Sequence, residues 1–73
     1  MFEWLTGEPY PVLKAVILNT KTGRAFRGVL WQKRRDYLVL KDAELLQGKG
    51  ETTRIDGELI VDRQNVDFMQ VLS

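Results

Sequence analysis

Apolar residues along this chain fall into short blocks, broken every few residues by glycine, proline or charged clusters. That spacing belongs to strands and not to long helices. Val12–Asn19 (VLKAVILN) is apolar on both faces, as a strand covered on two sides would be. Thr20-Lys21-Thr22-Gly23 follows as a turn, with Gly23 supplying the positive φ of a tight hairpin. Arg24–Lys33 alternates, placing Phe26, Gly28 and Leu30 on one side and Arg27, Val29 and Trp31 on the other. Gly28, in the middle of that strand, marks a sharp bend or a close backbone approach. Arg34-Arg35-Asp36 is the next turn and Tyr37–Leu46 a third long strand, although Asp42–Leu46 also fits a helical reading. Gln47–Asp56 is polar, carries Gly48 and Gly50, and reads as an exposed loop or hairpin tip. Gly57–Arg63 and Val66–Leu72 are the fourth and fifth strands, joined by Gln64-Asn65, and both are apolar on two faces.

Ahead of these strands, Phe2–Thr6 fits one helical turn with Gly7 at its C-terminal cap, and Pro9 and Pro11 end it. So short a helix persists only if Phe2, Trp4 or Leu5 docks on the rest of the domain. Five short strands with closely spaced turns predict a mainly β fold: a small, strongly bent five-stranded antiparallel barrel with a short N-terminal helical segment. The two-sided apolar character of the last strand invites pairing between subunits.

Composition removes chemistries more than it selects one. At 73 residues the chain is sized for a single domain with a thin core, for which self-association is a gain. Cys and His are both absent. This excludes disulfides, thiolate zinc sites and the Ser/His or Cys/His nucleophile arrangements. No cofactor site is indicated, and without a carboxylate cluster beside a nucleophile the chain does not read as an enzyme. The net charge of +1 conceals a division: seven basic and two acidic groups in residues 1–35, four basic and eight acidic in 36–73. The halves therefore carry +5 and −4. No acid interrupts Pro9–Arg35, so the asymmetry is local and shapes surface potential. Met1–Gly7 lacks the basic and apolar regions of a signal peptide, and no apolar run approaches the ~20 residues of a membrane span. The expectation is a cytoplasmic protein with no membrane partner.

The order of these signals resembles a known family. Leu18, then Gly23-Arg24-Ala25-Phe26-Arg27-Gly28-Val29-Leu30, then Leu38-Val39-Leu40-Lys41-Asp42-Ala43-Glu44, resembles the first motif of Sm and Sm-like proteins. Val61–Met69 (VDRQNVDFM) resembles the second. The resemblance covers about Val12–Leu72 and places the helical turn (1–8) before a first motif (12–46), a variable loop (47–56) and a second motif (57–73). The small size and unusual motifs look more like phage-encoded members than cellular ones. The resemblance implies a barrel that assembles into a homo-oligomeric ring of five to eight subunits, its fourth strand pairing with a neighbour's fifth. It also implies binding of single-stranded RNA near the pore.

Two positions depart from the family's base-binding residues. Tyr37 falls where an Asn is usual, after a turn about one residue shorter, and Asp62-Arg63 stands where the family has Arg-Gly. The usual uridine pocket is therefore not reproduced. In its place the sharpest local feature is Lys33-Arg34-Arg35 with Tyr37 and Trp31 alongside. Cations attract phosphates, and an aromatic face stacks on an unpaired base. The competing reading packs Trp31 and Tyr37 on a neighbouring strand and leaves the cations to solvate a turn. Arg63 and Asn65, in the second-motif turn, complete the candidate nucleic-acid site of Trp31, Lys33, Arg34, Arg35, Tyr37, Arg63 and Asn65. The alternatives are a ring that captures small nucleotides between subunits, or a structural ring with no nucleic-acid affinity.

Overall fold

The computed structural model describes residues 12–72, so the helical turn expected at Phe2–Thr6 lies outside the described residues. Six strands follow one another: β1 (Ala15–Thr20), β2 (Ala25–Lys33), β3 (Tyr37–Leu46), β4 (Thr52–Arg54), β5 (Glu58–Asp62) and β6 (Val66–Val71). All pairings are antiparallel; the sheet runs β4-β3-β2-β1-β6, with β5 also on β3.

Three expectations are corrected. The first strand begins at Ala15 and not Val12, because Leu13 sits in the left-handed region at φ 71°. Its amide still donates to the Leu30 carbonyl (2.6 Å). The stretch Gln47–Asp56 is not all loop, since Thr52–Arg54 pairs with Glu44–Leu46. And Asp42–Leu46 belongs to β3, not to a helix. Between β4 and β5 the Ile55 amide donates to the Ala43 carbonyl (2.9 Å), and Gly57 turns the chain at φ 78°. β4 and β5 are thus two halves of one kinked strand following β3, which reconciles six short segments with a five-stranded barrel. The connection to β6 is a single 3-10 turn, Arg63–Asn65, that takes in the last residue of the expected fourth strand.

Gly28 explains the bend. A Cβ built there would lie 3.0 Å from the Lys41 carbonyl oxygen and 3.1 Å from Ala43 Cα, so β2 and β3 approach closely enough that a side chain would push on the β3 backbone. Directly opposite, β3 carries one extra residue between the Arg27–Glu44 and Val29–Lys41 pairs, where Asp42 adopts φ 52°. A second bulge lies on β2, where Trp31 is the extra residue between the Leu30–Leu40 and Gln32–Val39 pairs. Bulges bend a strand and raise its twist, and two in one hairpin curl the sheet around its own inner face. That face buries Val16, Leu18, Leu30, Leu38, Leu40, Ala43, Val61 and Val66, with Phe26, Ile55, Leu59 and Met69 packed at the margin. Fully burying a Leu contributes about 1.5–3 kcal/mol, and four Leu side chains are wholly enclosed here.

The turns are held by specific hydrogen bonds. Buried Thr20 closes the β1–β2 turn, its Oγ1 accepting from the Arg24 amide (3.0 Å) and donating to the Arg24 carbonyl (3.1 Å). The Arg34 amide donates to the Tyr37 carbonyl (2.8 Å) and closes the β2–β3 turn. Among the described residues the sheet stops short of full closure: neither the outer edge of β5 nor that of β6 has a partner strand. Along this seam Ile60 and Phe68 stay more than half exposed, at 61% and 57%.

Candidate nucleic-acid interface

The local chemistry of two turns decides what the barrel offers a ligand. Arg34-Arg35-Asp36 follows β2, and the 3-10 turn Arg63–Asn65 follows β5. The β3–β5 ladder brings them together, with Tyr37 opposite Asp62, and the Arg63 amide donates to the Asp36 carbonyl at 2.9 Å. Between the turns lies a cleft of about 280 Å³, lined by Arg35, Asp36, Asp62, Arg63 and Gln64.

The seven residues expected to form one site are distributed over three places. Arg35 and Arg63 share this cleft. Arg34 stands beside it on the same turn and donates from Nη2 to Gln32 Oε1 (3.1 Å). Lys33 and Tyr37 pair with Leu38 and Asp62 in the ladders flanking the turn, and the Tyr37 ring is partly exposed. Trp31 is set apart on the outer face, where Lys41 Nζ lies 3.9 Å from its ring centroid and 3.8 Å from Glu58 Oε2. A cation of its own sheet therefore lies over one face of that indole. Asn65 faces the other way. Its carbonyl accepts from the Lys21 amide (2.7 Å), and it lines a second cleft of about 280 Å³ at the seam, with Thr20, Thr22, Arg24 and Phe26 on one side and Leu59–Asp62 on the other.

The candidate site drawn from the sequence did not include the carboxylates. Asp36 and Asp62 stand within the cleft beside the arginines, so its charge is mixed and not simply basic. The signal was the acid in place of the family's Arg at position 62. Its meaning depended on the long-range pairing that sets Asp62 against the β2–β3 turn. Several charges elsewhere are paired. Arg27 donates from Nε (2.8 Å) and Nη2 (2.6 Å) to Glu44 Oε2, and this bond, followed by one from Thr52, holds the Glu44 carboxyl below its usual range. Arg54 lies 4.0 Å from Asp42. Among the described residues no cluster of three or more potential ligands gathers to hold a metal ion, and no helix is long and apolar enough to cross a membrane.

No protein-family model matches the sequence, and no curated protein sequence is significantly similar to it. Solved structures are. A heptameric archaeal Sm protein superimposes with a TM-score of 0.74 at 25% identity, over 85% of this chain and 90% of that one. The SmAP1 heptamer of P. aerophilum gives the same score and identity over 85% of this chain and 82% of its own. A chain of the NatC complex bound to CoA matches with a TM-score of 0.71 at 20% identity, over 82% of this chain and 77% of that one, and at that identity shows the fold alone. Neither Sm neighbour is viral, so the affinity to phage proteins drawn from chain size finds no support in them. The bent antiparallel barrel described above is an Sm-like fold.

Proposed function

We propose that this chain assembles into a ring of identical subunits and binds single-stranded RNA where the Arg34–Asp36 turn meets the Arg63–Asn65 turn. The observation that carries the reading is the open seam. β5 and β6 each present an unpaired edge, flanked by exposed Ile60, Phe68 and Val71, and no second strand of the described residues covers either. Exposed edges of this kind are templates for another chain. Pairing β5 of one copy with β6 of the next repeats indefinitely and closes into a ring when the rotation per subunit permits. The two Sm neighbours are heptamers, which favours seven subunits within the five-to-eight range.

Ring assembly repeats the cleft once per subunit around a common axis. Weak contacts to successive nucleotides then add by avidity. The function is binding and not catalysis, with phosphates drawn to Arg34 beside the cleft and an unpaired base entering it. Native mass spectrometry of the purified protein, with and without a short RNA, tests both parts. One closed oligomer that takes up RNA is expected; a monomer at micromolar concentration overturns the ring. RNA affinity should fall with salt at a log–log slope of about −0.7 per phosphate contacted.

A second reading, capture of a small nucleotide between subunits, is favoured by the seam cleft, where Thr20, Thr22, Arg24 and Asn65 supply polar groups beside apolar Phe26 and Leu59. A nucleotide in the extract of denatured protein would support it.

A further inference from the structure

We infer that the cleft between the two turns selects guanine. This inference rests on the nucleic-acid reading above and deepens it. The cleft's volume of about 280 Å³ lies near the lower limit of roughly 300 Å³ for small-molecule sites, so it suits one base and not a longer stretch of nucleic acid. Its lining mixes two kinds of polar group, since each turn contributes an arginine and an aspartate. Arg35 offers only donors, while the Asp36 and Asp62 carboxylates offer acceptors. Among the described residues these three side chains enter no ion pair or side-chain hydrogen bond. Their polar capacity is open to a ligand, in contrast to the paired charges at Arg27–Glu44.

A base that satisfies both kinds of group carries adjacent donors on one edge and adjacent acceptors on another. Guanine does: N1–H and the N2 amino group face a carboxylate in parallel, and O6 and N7 accept from a guanidinium. Uracil offers a single N3–H flanked by two carbonyl oxygens, so a carboxylate approaching that donor also meets an acceptor. Adenine has an amino donor and N7 but an acceptor at N1, and cytosine has one amino donor. Each matches half of the pattern. An acid at position 62 thus reverses the polarity that an arginine there would present, and discrimination turns from uracil to guanine.

The guanine belongs either to an RNA or to a free nucleotide, and the measurement separates the two. Fluorescence anisotropy is measured on the full-length protein with labelled hexamers of sequence UUNNUU, where NN is GG, AA, CC or UU. Unlabelled GMP serves as competitor. The GG hexamer should bind about tenfold tighter than UU, the equivalent of one good bidentate contact. Asp62→Asn, which keeps the shape and presents an amide, should bring the GG-to-UU affinity ratio close to one; Asp36→Asn provides the companion test. Circular dichroism of each variant confirms the fold. Competition by GMP at concentrations comparable to the hexamer assigns the site to free guanine nucleotides; its absence assigns it to RNA, and both uphold guanine selection. Equal or tighter binding of UU overturns guanine selection and leaves RNA binding standing, as does a GG preference that survives both Asp variants. If neither the hexamers nor GMP bind, both readings fall.

Discussion

The two ends of β3 use the same residue types to opposite effect. At its Leu46 end, Glu44 is engaged by Arg27 and Asp42 lies near Arg54, so each acid stands against a base contributed by a neighbouring strand. At its Tyr37 end, Arg35, Asp36 and Asp62 crowd one cleft, and no ion pair among the described residues uses them. The first arrangement adds a little to the fold, as exposed ion pairs do. The second leaves polar capacity unspent at a concave surface, which is where recognition is to be sought. Counts of charge do not distinguish the two ends; the ladder partners do.

The most drastic way to break the comparison is to disturb the strand pair that holds both ends in place. Gly28→Val drives a branched side chain against the Lys41 and Ala43 backbone. It should cost about 3 kcal/mol or more in urea unfolding, with loss of RNA binding as a consequence. A near-neutral result would show that the hairpin can open without penalty. Next in size is the contrast of charges. Arg34→Glu with Arg35→Glu should weaken RNA binding by about tenfold or more, whereas Arg27→Glu with Arg54→Glu at the other end should change it by less than about threefold. Equal losses at both ends would mean that the whole basic surface binds without a defined site.

The smallest effect concerns Glu44. Its folded carboxyl is held low by Arg27, so this contribution to stability is complete above the ordinary carboxylate range and fades as pH falls through the depressed folded value. An NMR titration of the Glu44 side chain should show a midpoint below that of a free glutamate, and Arg27→Gln should move it upward. No movement would remove the ion pair as the cause.

Much of the barrel was legible because its signals are local. Gly23 at the hairpin and Gly28 at the close approach each declared themselves by residue type, and the alternation of β2 separated Arg27 and Trp31, both exposed, from buried Leu30. β4 was missed because Thr52–Arg54 is three polar residues with no apolar period, held by its position beside β3. Leu13 was assigned to a strand because nothing in its side chain announces a left-handed backbone. The candidate site was legible only in part. Lys33–Arg35 stood out as a cationic run, but grouping Arg35 with Asp62 and separating Trp31 from both required contacts between residues far apart in sequence.

The paired bulges of the β2–β3 hairpin have a further consequence. From Ala25 to Lys33 is eight steps, and from Leu46 to Leu38 is also eight, because the extra residue on one strand is matched by one on the other. Counting inward from either end of the hairpin therefore gives the same alignment, as though both strands were regular. The curvature is written as two errors that cancel, like compensating frameshifts in a gene, and leave no net trace in chain length. An alignment without gaps will pass over them, while either end of the hairpin can be exchanged for another turn without resetting the frame of the other.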